Sequence, residues 1–224
     1  RRKERCMFFA FEESPAQVIR NMRSIGIDLE PWVRKGLLKF HAERPSVYGL
    51  ETHLLTMHKE ISEFKPAVVV VDPITNLISS GNLLEVKSML TRLIDFVKMN
   101  QVTTMFTTLT SAGGSLEQSE VGLSSLADTW LLVRDIETGG ERNRGLYIIK
   151  SRGMDHSNQI REFLLTDKGI DLMDVYVGPS GVLTGSARLA QEAQEKGAAI
   201  AHQQEIERKK LSLENRQKTL EAQI

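Results

Sequence analysis

Four consecutive valines, Val68 to Val71, lie between Pro66 and Asp72. An uninterrupted apolar block of this length suits a strand covered on both faces, as in the middle of a parallel sheet. A parallel sheet needs crossover helices, so the flanking sequence must supply them.

It does. Cys6 to Phe11 is an apolar strand-like run. Ser14, Pro15 and Gln17 then set out an N-cap, a first-turn proline and a capping-box partner for a helix from Pro15 to Ser24, ending near Gly26. Leu37 to Ala42 gives a second strand between Gly36 and Pro45. A helix over Gly49–Phe64 follows, with Leu50, Leu54, Met57 and Ile61 on one face. A helix over Leu84–Asn100 and a strand over Thr103–Thr110 complete the alternation of a doubly wound α/β sheet.

From Asp128 the texture changes. Trp130–Ile136, Leu146–Lys150 and Ile160–Thr166 read as strands of antiparallel hairpins added to the sheet edge. Gly178, Pro179, Gly181 and Gly185 mark a linker. Beyond it, Ala199, Ile206, Leu213 and Leu220 recur every seven residues in a charged, proline-free stretch. His202, Lys209, Arg216 and Gln223 stand where a strong zipper places its second apolar column, which leaves a solvated single helix as the alternative to a weak coiled coil. The expected organisation is a domain over 1–177, a linker over 178–185 and a helical tail over 186–224.

Twenty-nine basic residues balance twenty-nine acidic ones, which excludes the global positive field of a non-specific nucleic-acid binder. Cys6 is the only cysteine and no stretch reaches membrane-spanning length. Arg1–Arg5 has no apolar region behind its charges, as a signal peptide requires. The expectation is a cytoplasmic protein whose first strand already belongs to the middle of a domain.

Two places invite chemistry. Glu12 and Glu13 fall at a strand-to-helix corner, where open α/β sheets bind ligands, although acids there also complement a helix dipole. Asp72 closes the valine strand in the Walker B pattern, in which a strand-tip carboxylate holds a nucleotide's magnesium ion. The phosphate-cradling pattern G-x-x-x-x-G-K-[ST] does not occur in the 224 residues. Either it lies upstream or the domain has lost nucleotide binding.

Phe11-Glu12-Glu13-Ser14, Gly49–Leu54 with Phe64-Lys65-Pro66, Leu123–Asp128, Lys150–Gly153 and Ile160–Gly169 together resemble the KaiC family of circadian clock proteins over residues 1–175, its second lobe most of all. The resemblance implies a RecA-like core, ATP and Mg2+ as cofactors, and an ATPase and serine autokinase. In its terms Glu12 is the general base, Glu13 its companion and Asp72 the magnesium ligand. Ser124 and Ser125 are the phosphate acceptors, with Ser119 a third. Arg144, Lys150, Ser151, Arg152 and His156 match positions that reach ATP on the neighbouring subunit, and period-two alternation points Lys150 and Arg152 to the same face of a strand. Ile25 replaces an aromatic residue against adenine.

The same resemblance implies a homohexameric ring with KaiB as partner. The tail does not match the short end that binds KaiA, and instead suggests two rings joined through their helices or a bundle within one ring. A RecA-like DNA-handling ATPase and a non-catalytic assembly module remain as alternatives. Glu117 and Glu120, with no Lys or Arg across Ser111–Gly122, count against the first.

Overall fold

A computed structural model describes residues 2–109, 125–138, 140–174, 176–178 and 181–221. The chain divides into two compact units, the first made of Arg1–Leu132, Ile148–Asn158 and Leu164–Asp171, the second of Val133–Tyr147, Gln159–Phe163 and Leu172–Ile224.

The first unit begins with β1 (Cys6–Ala10) and α1 (Pro15–Ser24). Ser14 caps α1 as its sequence predicts: Gln17 N–H donates to the Ser14 hydroxyl, and Gln17 Oε1 accepts from the Ser14 N–H at 2.8 Å. A short α2 (Glu30–Arg34), which no periodicity announces, leads to β2 (Leu38–Ala42). A 3-10 turn at Pro45–Val47 precedes α3 (Leu50–Phe64), and β3 (Val68–Asp72) follows. A second 3-10 segment (Ile74–Ser80) runs into α4 (Leu83–Met99), which Asn82 and Glu85 close with another capping box, and then into β4 (Thr103–Phe106).

These four strands form a parallel sheet in the order β2-β1-β3-β4. Met7, Phe9, Val69 and Val71 are completely buried on one face, against Leu54, Met57 and Ile61 of α3 and Val86, Met89, Leu90 and Leu93 of α4. Phe8, Val68 and Val70 on the opposite face are half-buried. The valine block is therefore the central strand expected, with one face more deeply covered than the other.

The antiparallel strands gather in a four-stranded sheet of their own, ordered β5-β6-β7-β8, from β5 (Thr129–Thr138), β6 (Glu141–Ser151), β7 (Arg161–Thr166) and β8 (Gly169–Asp174). β6 and β7 run antiparallel, with Gly145 opposite Glu162. The stretch expected as a linker carries β10 (Gly181–Leu183), which pairs antiparallel with β9 (Tyr176–Gly178), the strand that ends on the linker's first residue, with Gly178 opposite Gly181. Its glycines suggest a tether, whereas Tyr176, Val177 and Val182 are residue types with the propensity to pair.

α5 (Gly185–Glu221) covers 37 residues. Its first turn is rooted on a buried carboxylate: Gly185 N–H donates to Glu162 Oε1 at 3.1 Å, and Arg188 Nη1 stands 3.6 Å from Glu162 Oε2. Arg188 also donates to the Asp174 carbonyl at 3.3 Å. Ser186 N–H donates to Glu141 Oε2 at 3.0 Å, and the Ser186 hydroxyl, then this N–H and the Asn143 amide, hold the Glu141 carboxyl below the usual carboxylate range. From Ala193 to Asn215 the side chains are exposed to solvent, Ile200, Ile206, Leu211 and Leu213 among them.

Candidate functional site

Parallel pairing brings the carboxyl ends of neighbouring strands to one edge, and here the register is level: Ala10 of β1 lies opposite Asp72 of β3. The next residues of β1's chain, Phe11, Glu12 and Glu13, therefore leave the sheet beside Asp72. Phe11 N–H donates to the Asp72 carbonyl at 2.8 Å. Thr107, just past β4, donates its hydroxyl to the Asp72 carboxylate, while its N–H bonds Val71 O at 3.0 Å and its carbonyl accepts from Ile74 N–H at 2.9 Å. Asn76 Nδ2 donates to Phe11 O at 3.4 Å.

Glu12 is exposed; Glu13 is half-buried and accepts from Asn21 Nδ2 of α1 at 3.0 Å. The structure thus brings Glu12, Glu13 and Asp72 to a single edge. It also gives Glu13 a local partner on the helix, which a purely structural acid would have too. Asp72 and Thr107 offer hard oxygen donors of the kind magnesium takes, and no cluster of three or more His, Cys, Asp or Glu side chains that could hold a metal occurs among the described residues. A magnesium ion there would use Asp72 and draw its remaining oxygens from phosphates and water.

A second group lies in the same unit. Leu126, the residue after Ser125, is partly buried against the core. Arg152 Nη2 donates to Ser125 O at 2.7 Å, Arg152 N–H donates to Asp128 O at 2.8 Å, and Lys98 Nζ reaches Asp128 Oδ1 at 3.0 Å. Ser124 and Ser119 lie outside the described residues. Arg152 stands beyond the end of β6, which stops at Ser151, so period-two alternation does not put it on the face of Lys150. The chain turns there, through Gly153 at φ 69°. Lys150 is half-buried in β6, the Ser151 hydroxyl lies 3.4 Å from that of Thr129, and His156 is exposed. Arg144 is exposed on β6 in the second unit. Ile25 is half-buried as the C-cap of α1.

Sequence reasoning does not single out Thr107, Asn76 or Asn21. The legible signal for the first is the Thr107-Thr108 pair at the tip of the strand next to the one ending in Asp72; Asn76 and Asn21 carry none.

A parallel sheet with acidic residues at its carboxyl edge and an antiparallel sheet following in the chain has the architecture of a RecA-like ATPase domain. Comparison with known proteins agrees: the family model described as "ATPase: KaiC" matches residues 1–175. The circadian clock protein KaiC2 of Synechocystis sp. is 48% identical over 225 residues, covering 100% of this chain and 40% of that protein. The circadian clock oscillator protein KaiC of Thermostichus vulcanus is 35% identical over 184 residues, covering 82% of this chain and 36% of its own length. That of Synechococcus elongatus is 33% identical over 208 residues, covering 87% and 40%. The chain belongs to the KaiC ATPase family, and it spans 36% to 40% of the length of these relatives.

Proposed function

We propose that this chain is the ATP-hydrolysing, serine-autophosphorylating lobe of a ring-forming timing protein. What supports the proposal is the level register of Ala10 and Asp72, by which the chain carrying Glu12 and Glu13 leaves the sheet next to Asp72. Glu12 takes the proton from an attacking water or serine hydroxyl, Glu13 assists it, and Asp72 holds the magnesium ion. A bound magnesium nucleotide supplies the phosphoryl group and neutralises charge on its oxygens. Ser124 and Ser125 are the acceptors. Arg152 donates to the Ser125 carbonyl and so holds the backbone of that acceptor.

Arg144, Lys150, Ser151 and His156, with Arg152, serve the nucleotide of a neighbouring subunit, and Ile25 contacts adenine. Phosphoryl transfer also requires a phosphate cradle; the 224 residues carry no G-x-x-x-x-G-K-[ST] pattern, and the proposal has the cradle supplied from outside them. A hexamer whose α5 helices pair as coiled coils, joining two rings, fits the exposed column of Ile206 and Leu213. KaiB is the partner that goes with this assignment, and the cytoplasm is its compartment. No helix among the described residues is long and apolar enough to cross a membrane.

The test is intact mass and phosphopeptide mapping of the intact protein after incubation with ATP and magnesium, beside Glu12→Gln and the double variant Ser124→Ala, Ser125→Ala. Phosphate on those serines, absent from both variants, is expected. Bound ATP with no phosphate on either serine would leave an ATPase and remove the kinase.

A further inference from the structure

The Gly49–Leu54 motif contains a histidine to which the proposed chemistry gives no task. His53 lies in the first turns of α3 and is 2% exposed. Its Nε2 is 2.8 Å from the carbonyl oxygen of Pro45. A carbonyl only accepts, so Nε2 carries the hydrogen. The same carbonyl accepts the hydroxyl of Ser80, at the end of the 3-10 segment that follows Asp72 and Pro73.

The His53 ring is wedged between two aromatic rings at edge-on angles. Phe11 is 6.0 Å away at 69°, and Tyr48 is 6.1 Å away at 70°. Phe11 is the residue immediately before Glu12 and is itself 2% exposed. Its N–H is held by Asp72 O and its carbonyl by Asn76, so it couples the Glu12 backbone to the Asp72 strand. One imidazole thus touches the acid-bearing corner through Phe11 and the segment after Asp72 through the Pro45 carbonyl it shares with Ser80. A leucine of similar size would fill the space but could not bond that carbonyl, leaving a buried acceptor with one donor fewer.

We infer that His53 is a positioning residue: through Phe11 and the Pro45–Ser80 node it fixes where the Glu12 and Glu13 carboxylates stand relative to Asp72. This rests on the roles given to those acids above. Packing alone would require only bulk at position 53. Positioning requires the N–H as well, because reacting groups misplaced by about 1 Å lose roughly a hundredfold in rate.

The experiment compares His53→Leu, His53→Gln and Ser80→Ala in the intact protein, following steady-state ATP hydrolysis and amide hydrogen exchange at Phe11–Glu13. Glutamine can place an amide N–H near the position of Nε2. His53→Leu is expected to lower kcat by about tenfold with KM within about twofold, and His53→Gln to recover most of that loss. Ser80→Ala, which keeps His53 and its ring contacts, should lower kcat by about threefold and guards against a His53 variant that fails to fold. Exchange at Phe11 should quicken in His53→Leu and return in His53→Gln. Equal losses in the leucine and glutamine variants, a loss confined to KM, or unchanged exchange at Phe11 in His53→Leu would overturn the inference. If the unsubstituted protein hydrolyses no ATP, the assigned chemistry fails, while the exchange measurement still decides whether His53 holds the corner.

Discussion

Replacing Glu162 tests whether the root of α5 is electrostatic or merely steric. The Glu162 side chain is 2% exposed and that of Arg188 8%, so alanine at 162 strands a guanidinium in the interior. Removing one member of a buried pair typically costs about 3–5 kcal/mol. Arg188 retains the Asp174 carbonyl and, at 3.8 Å, the more exposed Glu192, so Glu162→Ala should fall at the lower end, about 3 kcal/mol. Glu162→Gln keeps an acceptor for the Gly185 N–H and should lose about 2 kcal/mol. The double variant Glu162→Met, Arg188→Met removes both charges and should recover to within about 1 kcal/mol of the parent. Urea titration followed by circular dichroism on these variants and on the single Glu162→Met and Arg188→Met changes gives each term of the double-mutant cycle. A loss below about 1 kcal/mol for Glu162→Ala, or strict additivity in the cycle, would refute a buried, coupled pair.

Asp72→Asn should cut magnesium-dependent ATP turnover by about a hundredfold or more while leaving the melting temperature nearly unchanged, because the Phe11–Asp72 bond uses the backbone. Activity within about threefold of the parent would remove Asp72 from the site. Gly26 holds φ 78°, and a Cβ there would come within 2.2 Å of the Asp167 carbonyl oxygen, so Gly26→Ala should destabilise by about 2 kcal/mol or more in a thermal melt. A neutral substitution would show that the corner after α1 relaxes. Burial, and secondarily the Arg92 charge, hold the His58 imidazole below its ordinary value of 6.5. The unfolded chain then takes up the proton first, so stability should decline as pH falls below about 6.5, and His58→Phe should flatten that slope. An unchanged slope in calorimetry would assign it to other groups.

The parallel half of the fold was legible because it is written in local signals: the valine block, the Ser14 capping box and the apolar face of α3. α2 is only five residues long, too short for a helical period to register. β8 carries no strand signal because its residues after Gly169 are exposed, with Asp171 and Asp174 breaking any apolar pattern. The site was half legible. Glu12, Glu13 and Asp72 stand out by residue type at strand ends, but their common edge depends on register. Arg152 sits one residue past a strand end that only the turn at Gly153 reveals. His53, Pro45 and Ser80, like Glu162 and Arg188, are joined across 8 to 35 positions of sequence, where a histidine, a serine or a charged pair looks like ordinary surface.

The rooted α5 has a mechanical consequence. A continuous helix of 37 residues extends for about 55 Å at roughly 1.5 Å per residue. A tilt of about 5° at Glu162 and Arg188 would sweep its far end through about 5 Å, a full turn's rise along a neighbouring helix. By lever geometry alone, whatever angle the buried pair sets at the root of α5 is magnified along the helix, so the packing around Glu162 and Arg188 would decide where the far end stands.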